Sequence, residues 1–166
     1  MVVKCRERVW LKMESFTFVK FNGLSFVIGC TDSFITSLRT GEPVPGEKSG
    51  SELGRLAARE LCEYLDGSRR SFDLPLAPVR GEFSGKVRDA LLDVPYGSTA
   101  SYGDIARAVG NPRAARAVGQ SVGSNPIWIF VPCHRVIRSD GSPGGYAGGI
   151  GMKKLLLELE RKYRNV

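Results

Sequence analysis

"SYGDIARAVGNPRAARAVGQSV", Ser101–Val122, reads as two short helices that meet at a glycine. Ser101 is a side-chain oxygen placed to cap a helix, and Asp104 three positions on completes a capping box. The first helix should run to Val109, where Gly110 stops it. Asn111 then caps, and Pro112 takes the first position of a second helix, where its missing N–H costs nothing. That second helix should run to about Val122. Two short helices joined in this way form a helix-turn-helix candidate. The second is built from small residues and arginines, a composition that lets a backbone approach a nucleic-acid groove while guanidinium groups reach phosphates or insert among bases.

The charge around this unit is one-sided. No acidic residue lies between Asp104 and Asp140, an interval that holds Arg107, Arg113, Arg116, Arg135 and Arg138. The whole chain, 166 residues with a formal charge of +7, leans the same way. Such a balance suits a polyanionic partner. A packed helix pair with a solvated basic face would give the same pattern.

Upstream, "FTFVKFNGLSFVIGC" (Phe16–Cys30) is two β-rich runs around Asn22-Gly23, the residue pair a type I′ hairpin turn prefers. Val9–Lys12 could add a strand. Arg39–Gly50 reads as a loop rich in glycine and proline. Leu53, Leu56, Ala57, Leu61 and Leu65 make a helical stripe closed by Gly67. Phe72–Gly81 carries two prolines, reads as extended, and is the expected seam. A further helix is marked by Phe83, Val87, Leu91 and Leu92, and a last amphipathic one spans Gly151–Tyr163. The expected class is α+β. A small N-terminal β-hairpin or sheet plus helix domain (residues 1–78) precedes a mainly helical C-terminal domain with the helix-turn-helix (residues 79–166).

Just beyond that unit stands "IFVPCHRVI", Ile129–Ile137, with the only histidine of the chain directly after one of its four cysteines. A thiol is nucleophilic as thiolate, and a base or positive charge beside it makes the thiolate accessible. Neighbours on an extended strand face opposite ways, so Cys133 and His134 need a turn or a bridging water to exchange a proton. Pro132 makes a turn plausible. A histidine base needs a carboxylate to orient it, and Glu158 and Glu160 on the last helix are the nearest supply. A buried thiol beside a surface His-Arg pair is the plainer alternative. "DGSPGGYAGGIG" (Asp140–Gly151) surrounds Tyr146 with glycines and matches no phosphate-binding pattern.

No CxxC pair occurs, and one histidine cannot complete a Cys2His2 zinc site, so neither metal nor cofactor is expected. Cys5, Cys30 and Cys62 read as structural thiols, with a Cys5–Cys30 disulfide as the alternative. No apolar run approaches the length of a membrane span, and the first residues do not read as a signal peptide. We expect a soluble intracellular protein.

Taken together, "NPRAARAVG", "NP", "VPCHRVI", "GGYAGG" and "LLELE" resemble the O6-alkylguanine-DNA alkyltransferases (methylated-DNA–protein-cysteine methyltransferases) over roughly Phe83 to Tyr163. The resemblance implies irreversible, single-turnover transfer of an alkyl group from O6-alkylguanine, and from O4-alkylthymine, in double-stranded DNA to Cys133, with the target base flipped out. It implies that His134 deprotonates Cys133 through a water and that Glu160 orients His134. It makes Asn125 a hinge before the active-site strand and Tyr102 the residue that presses on the neighbouring phosphate. Tyr146 would close over the guanine and help protonate the leaving group. Arg116 would fill the gap left by the flipped base. DNA contacts are implied for Arg113, Ala114, Arg116, Ala117 and Gly119 on the second helix, and for Arg135 and Val136 beside the cysteine. It further implies a monomer, cytoplasmic and nucleoid-associated, or nuclear in a eukaryote.

Three departures from the family pattern stand out. The zinc site of some members cannot form here. Ala147 replaces a serine common in relatives, and Arg161 follows Glu160 where glycine is common. Two other classes stay open on the residues alone: a Cys-His thiol hydrolase, and a non-enzymatic helix-turn-helix regulator.

Overall fold

The computed structural model describes residues 15–44 and 50–164. The strands β1 (Ser15–Phe21), β2 (Leu24–Cys30) and β3 (Ile35–Thr40) form an antiparallel sheet in sequence order. The first two are the expected hairpin: Phe21 pairs with Leu24 across Asn22 and Gly23, whose φ angles are 45° and 82°. The third strand was not anticipated. Its pairing with β2 skips Thr36, because Gly29 faces Ser37 while Cys30 faces Ile35. The extra residue reverses the alternation, so that Ile35 and Leu38 both turn inward and the period-2 signal is lost. Val9–Lys12 and Cys5 lie outside the described residues.

Helix α1 (Glu52–Leu65) crosses the sheet, with the Ser51 hydroxyl accepting from Gly54 N–H. Gly54 permits the close crossing, since a Cβ there would stand 2.2 Å from Thr17 Oγ1. The inward stripe is Ala57, Leu61, Tyr64 and Leu65, while Leu56, expected among them, is only half-buried.

The proline-bearing segment after α1 is extended, as read, and it lines the edge of β3. Ile35 N–H donates to Pro75 and Ala77 N–H donates to the Ile35 carbonyl, both at 2.8 Å. Leu38 N–H donates to Pro126 on the other side of the seam. These bonds occupy an edge that would otherwise offer unpaired backbone groups, and one apolar core runs continuously from the sheet into the helical half.

That half contains α2 (Glu82–Leu92), a two-residue strand β4 (Ala100–Ser101), α3 (Tyr102–Ala108), α4 (Ala115–Gly123), a second short strand β5 (Val136–Ile137) parallel to β4, and α5 (Gly149–Lys162). The α+β class is as expected. Both bonds of the capping box at Ser101 and Asp104 are present. The start of α4 is a correction. Asn111 and Pro112 do not open the helix; Ala114 N–H donates to the Asn111 carbonyl at 2.9 Å, closing a turn. The helix begins after that turn, which leaves Pro112 and Arg113 exposed at its corner. Among the described residues no helix is long and apolar enough to cross a membrane.

Candidate active site and nucleic-acid interface

The residue before the cysteine explains the local geometry. Pro132 has φ −78° and ψ 55°, the conformation at the centre of an inverse γ-turn. The turn is closed by Cys133 N–H donating to Val131 at 2.7 Å. Cys133–Arg135 then make one 3-10 turn. Neighbouring side chains are thereby sent into the interior together: Cys133 is 2% exposed, His134 0% and Arg135 6%. Just upstream, Ile129 has a φ of 72°, a conformation that costs a β-branched residue roughly 1–3 kcal/mol and persists here under full burial.

Glu160 on α5 gathers this turn. Its Oε1 lies 2.8 Å from His134 Nε2 and accepts from Arg135 Nη2 at 2.9 Å and from the Tyr64 hydroxyl at 2.6 Å. Its Oε2 accepts from Arg135 Nε at 3.0 Å and from Gly97 N–H at 2.9 Å. Burial alone would raise the carboxyl, but the hydrogen bonds from His134 and Arg135 and the charge of Arg135 outweigh it and hold the pKa at about 2. An ionised carboxylate only accepts, so His134 Nε2 carries the proton. That leaves Nδ1 as the basic nitrogen, and it makes no hydrogen bond among the described residues. Burial keeps the imidazole neutral by lowering its pKa, against the raising influence of Glu160.

Asn125 pins the thiol from the other side. Its Oδ1 accepts from Ile127 N–H at 3.1 Å, and its Nδ2 donates to Cys133 Sγ at 3.1 Å. Burial pushes the Cys133 thiol up to about 11, against the lowering effects of the Asn125 bond and the Lys153 charge. Tyr146 is a protonated phenol: burial and then the neighbouring Cys133 raise its pKa far above the ordinary value. Its ring stands edge-on to Trp128 at 5.5 Å between centroids. Trp128 in turn packs so tightly on Gly148 that a Cβ there would lie 2.3 Å from the indole.

Tyr102, Gly119, Val122, Gly123, Gly145, Tyr146 and Ala147 line a cavity of about 340 Å³ between α4 and the glycine-rich loop. That volume falls within the roughly 300–1,000 Å³ usual for small-ligand sites, and the small side chains of α4 form its wall. Beside it Arg113, Arg116 and Ala117 are exposed and Ala114 half-buried, while Arg107 pairs with Asp104.

Cys133 and Asn125 therefore meet at the thiol, His134 and Glu160 at the buried carboxylate, and Tyr102, Gly119 and Tyr146 at the cavity. Arg135 is the exception among the DNA contacts. It is buried, its guanidinium spent on Glu160 and on the Val94 carbonyl, so it neutralises the carboxylate instead of facing outward. Val136 is also fully buried, its carbonyl held by Lys153 Nζ. Three participants were missed. Tyr64 and Trp128 sit among apolar neighbours and look like ordinary core. Lys153 left a readable trace: Lys153, Leu156 and Glu160 share one buried stripe of α5, and two charges on an inward face signal a site.

These features define a class: a helix-turn-helix protein with a buried cysteine, histidine and glutamate, the cysteine bonded by Asn125 just past the second helix. Residues 82–162 match the family described as 6-O-methylguanine DNA methyltransferase, DNA binding domain. A methylated-DNA–protein-cysteine methyltransferase of Methanosarcina acetivorans is 50% identical over 109 residues, covering 66% of this chain and 70% of that protein. The crystal structure of Mycobacterium tuberculosis O6-methylguanine methyltransferase superposes with a TM-score of 0.81 at 38% identity, over 91% of this chain and 94% of that one. The M. tuberculosis protein in complex with DNA gives a TM-score of 0.82 at 38% identity, over 90% and 94%. The chain belongs to the 6-O-methylguanine DNA methyltransferase family.

Proposed function

We propose that this protein repairs double-stranded DNA by moving the alkyl group of O6-alkylguanine, and of the related O4-alkylthymine, onto Cys133. The observation that carries the reading is the buried Cys133 thiol held by Asn125 beside a neutral His134 whose free nitrogen is Nδ1. An alkyl group on guanine O6 is stacked inside the duplex, so the base must leave the stack to meet a buried thiol. Arg116 on exposed α4 is the side chain suited to fill the gap. Tyr102 lies beside Gly119 of the same helix and is placed to press on the backbone next to the lesion.

The thiol proton passes to His134 Nδ1 through one water. The sulfur then attacks the alkyl carbon. The S–C bond forms, the C–O6 bond breaks, and its electron pair leaves with the guanine. Tyr146, held as a phenol, donates to the leaving base. The imidazolium is stabilised by Glu160, whose charge is shared with Arg135. The thioether product is inert and no second nucleophile stands by among the described residues, so each chain reacts once. The seam near residue 78 divides a supporting N-terminal domain from the domain that binds DNA, and one monomer contains the whole site.

The test is the intact mass of the protein after mixing with a duplex carrying one O6-methylguanine. Each chain should gain one methylene mass, on the peptide with Cys133, and Cys133→Ser should gain none. Turnover beyond one lesion per chain would overturn the reading.

A further inference from the structure

The sheet-bearing half of the chain contributes a side chain to the histidine–carboxylate pair. Tyr64, near the end of α1, is fully buried with its ring against Tyr96 and Phe72. Its hydroxyl donates to Glu160 Oε1 at 2.6 Å and stands 3.2 Å from His134 Nε2. A phenol has one proton and spare lone pairs. With that proton given to the carboxylate, its oxygen can only accept from His134 Nε2–H. The imidazole proton is thus shared between Glu160 Oε1 and Tyr64, and Tyr64 in turn takes up part of the carboxylate's accepting capacity.

We infer that Tyr64 is a positioning residue of the alkyl-transfer site, sharing the Nε2 proton of His134 and holding the ring neutral so that Nδ1 faces its task as a base. The inference rests on the proposed role of His134. The titratable and charged groups around this imidazole are Glu160 and Lys153 on α5, Arg135 and Cys133 on its own turn, Tyr146 on the glycine-rich loop, and Tyr64 on α1. Arg135 and Gly97 N–H already bind Glu160, so the carboxylate stays ionised without Tyr64. What Tyr64 adds is specific to the proton at Nε2: a second acceptor for it, and a competitor for the oxygen that would otherwise draw the ring toward the imidazolium.

His134 is the only histidine in the chain, so its ring nitrogens can be observed alone by ¹⁵N NMR in the full-length protein. Wild type should show one neutral tautomer, protonated at Nε2. In Tyr64→Phe the ring should titrate at a pH higher by roughly one unit, the scale of losing one hydrogen bond to a charged group. The single-turnover methyl-transfer rate should fall about tenfold, as for other outer partners of a working group, most at mildly acidic pH and regained as pH rises. DNA affinity should not change. A histidine titration and pH–rate profile superimposable on wild type would overturn the inference. So would a lowered melting temperature with unchanged histidine signals, which would make Tyr64 a packing residue only. If Tyr64→Phe does not fold, wild type decides: the Nε2 proton should exchange slowly and give an NOE to the Tyr64 ring, and a fast-exchanging proton or a mixed tautomer would refute the proposal. None of the NMR measurements needs DNA. A wild-type protein that accepts no methyl would defeat the functional reading, while the histidine titration would still decide Tyr64.

Discussion

Replacing Glu160 by glutamine tests the electrostatic core of the site, because the change keeps the shape and removes the charge. The carboxylate takes up bonds from Tyr64, His134, Arg135 and Gly97. A glutamine carbonyl can still accept from Tyr64 and His134. Its NH2 then occupies the place of Oε2, where Arg135 Nε–H and Gly97 N–H both donate, so donors face a donor and Arg135 stays buried without a counter-charge. Breaking a buried pair from one side costs about 3–5 kcal/mol. The pKa gives a second route to the magnitude. A carboxyl that moves from 4.5 to about 2 on folding contributes about 3 kcal/mol, at 1.36 kcal/mol for each of about 2.5 units.

The direction of that shift sets the pH dependence. A depressed carboxyl contributes fully above its unfolded value, and the contribution is lost as pH falls through 4.5 toward 2. Urea unfolding at pH 7 should therefore find Glu160→Gln less stable by about 3–5 kcal/mol, a large share of the roughly 5–15 kcal/mol of a typical domain. Its melting temperature should drop by roughly 6–20 °C for a chain of this size. The gap should narrow as the pH approaches 2, where wild type also loses its charge. Adding Arg135→Met should recover part of the loss, since no charge is then left unpaired. A loss below about 1 kcal/mol at pH 7, or a gap that does not change between pH 7 and pH 2, would refute this reasoning.

Cys133 should resist alkylation by iodoacetamide at neutral pH and gain reactivity around pH 11; an inflection near the free-cysteine value of about 8.5 would show that the thiol is not desolvated. Arg116→Ala should lower the slope of log affinity against log salt by about one phosphate contact and slow methyl transfer from duplex DNA; an unchanged slope would remove Arg116 from the interface.

What the sequence made legible, and what it hid, divides along the range of the interactions. The capping box at Ser101, the Gly110 stop and the Asn22-Gly23 hairpin turn are set by a few adjacent residues, and each stands where it was read. The pairing register of β3 depends on a bulge that no alternation pattern reveals. The start of α4 moved because Asn111 closes a turn with its carbonyl instead of capping with its side chain. Arg135 was misassigned for a different reason, the distance of its partner along the chain. A run of arginines without acids looks like a basic surface, but the acid that draws Arg135 inward lies 25 positions away on another helix. Tyr64 is farther still, 96 positions from Glu160.

The high pKa of Cys133 bears on how the site can work at all. At pH 7 a thiol near 11 is thiolate in roughly one molecule in ten thousand, a cost of about 5 kcal/mol. A neutral His134 does not relieve that cost at rest; it only offers somewhere for the proton to go. The reactive ion pair must therefore form as part of the reaction, with Asn125 and the Lys153 charge on the sulfur side and Glu160 on the imidazole side. This arrangement suits displacement at an alkyl carbon. The negative charge spreads from one sulfur over the departing guanine, so a site that excludes water penalises the localised thiolate more than the transition state. Burial that looks unfavourable for making a nucleophile thus protects the thiol from other reagents in the absence of DNA, while the transfer keeps much of its advantage. On the proposed single-turnover reading, the protein has reason to keep its sulfur in the resting form until a base is seated against Tyr146.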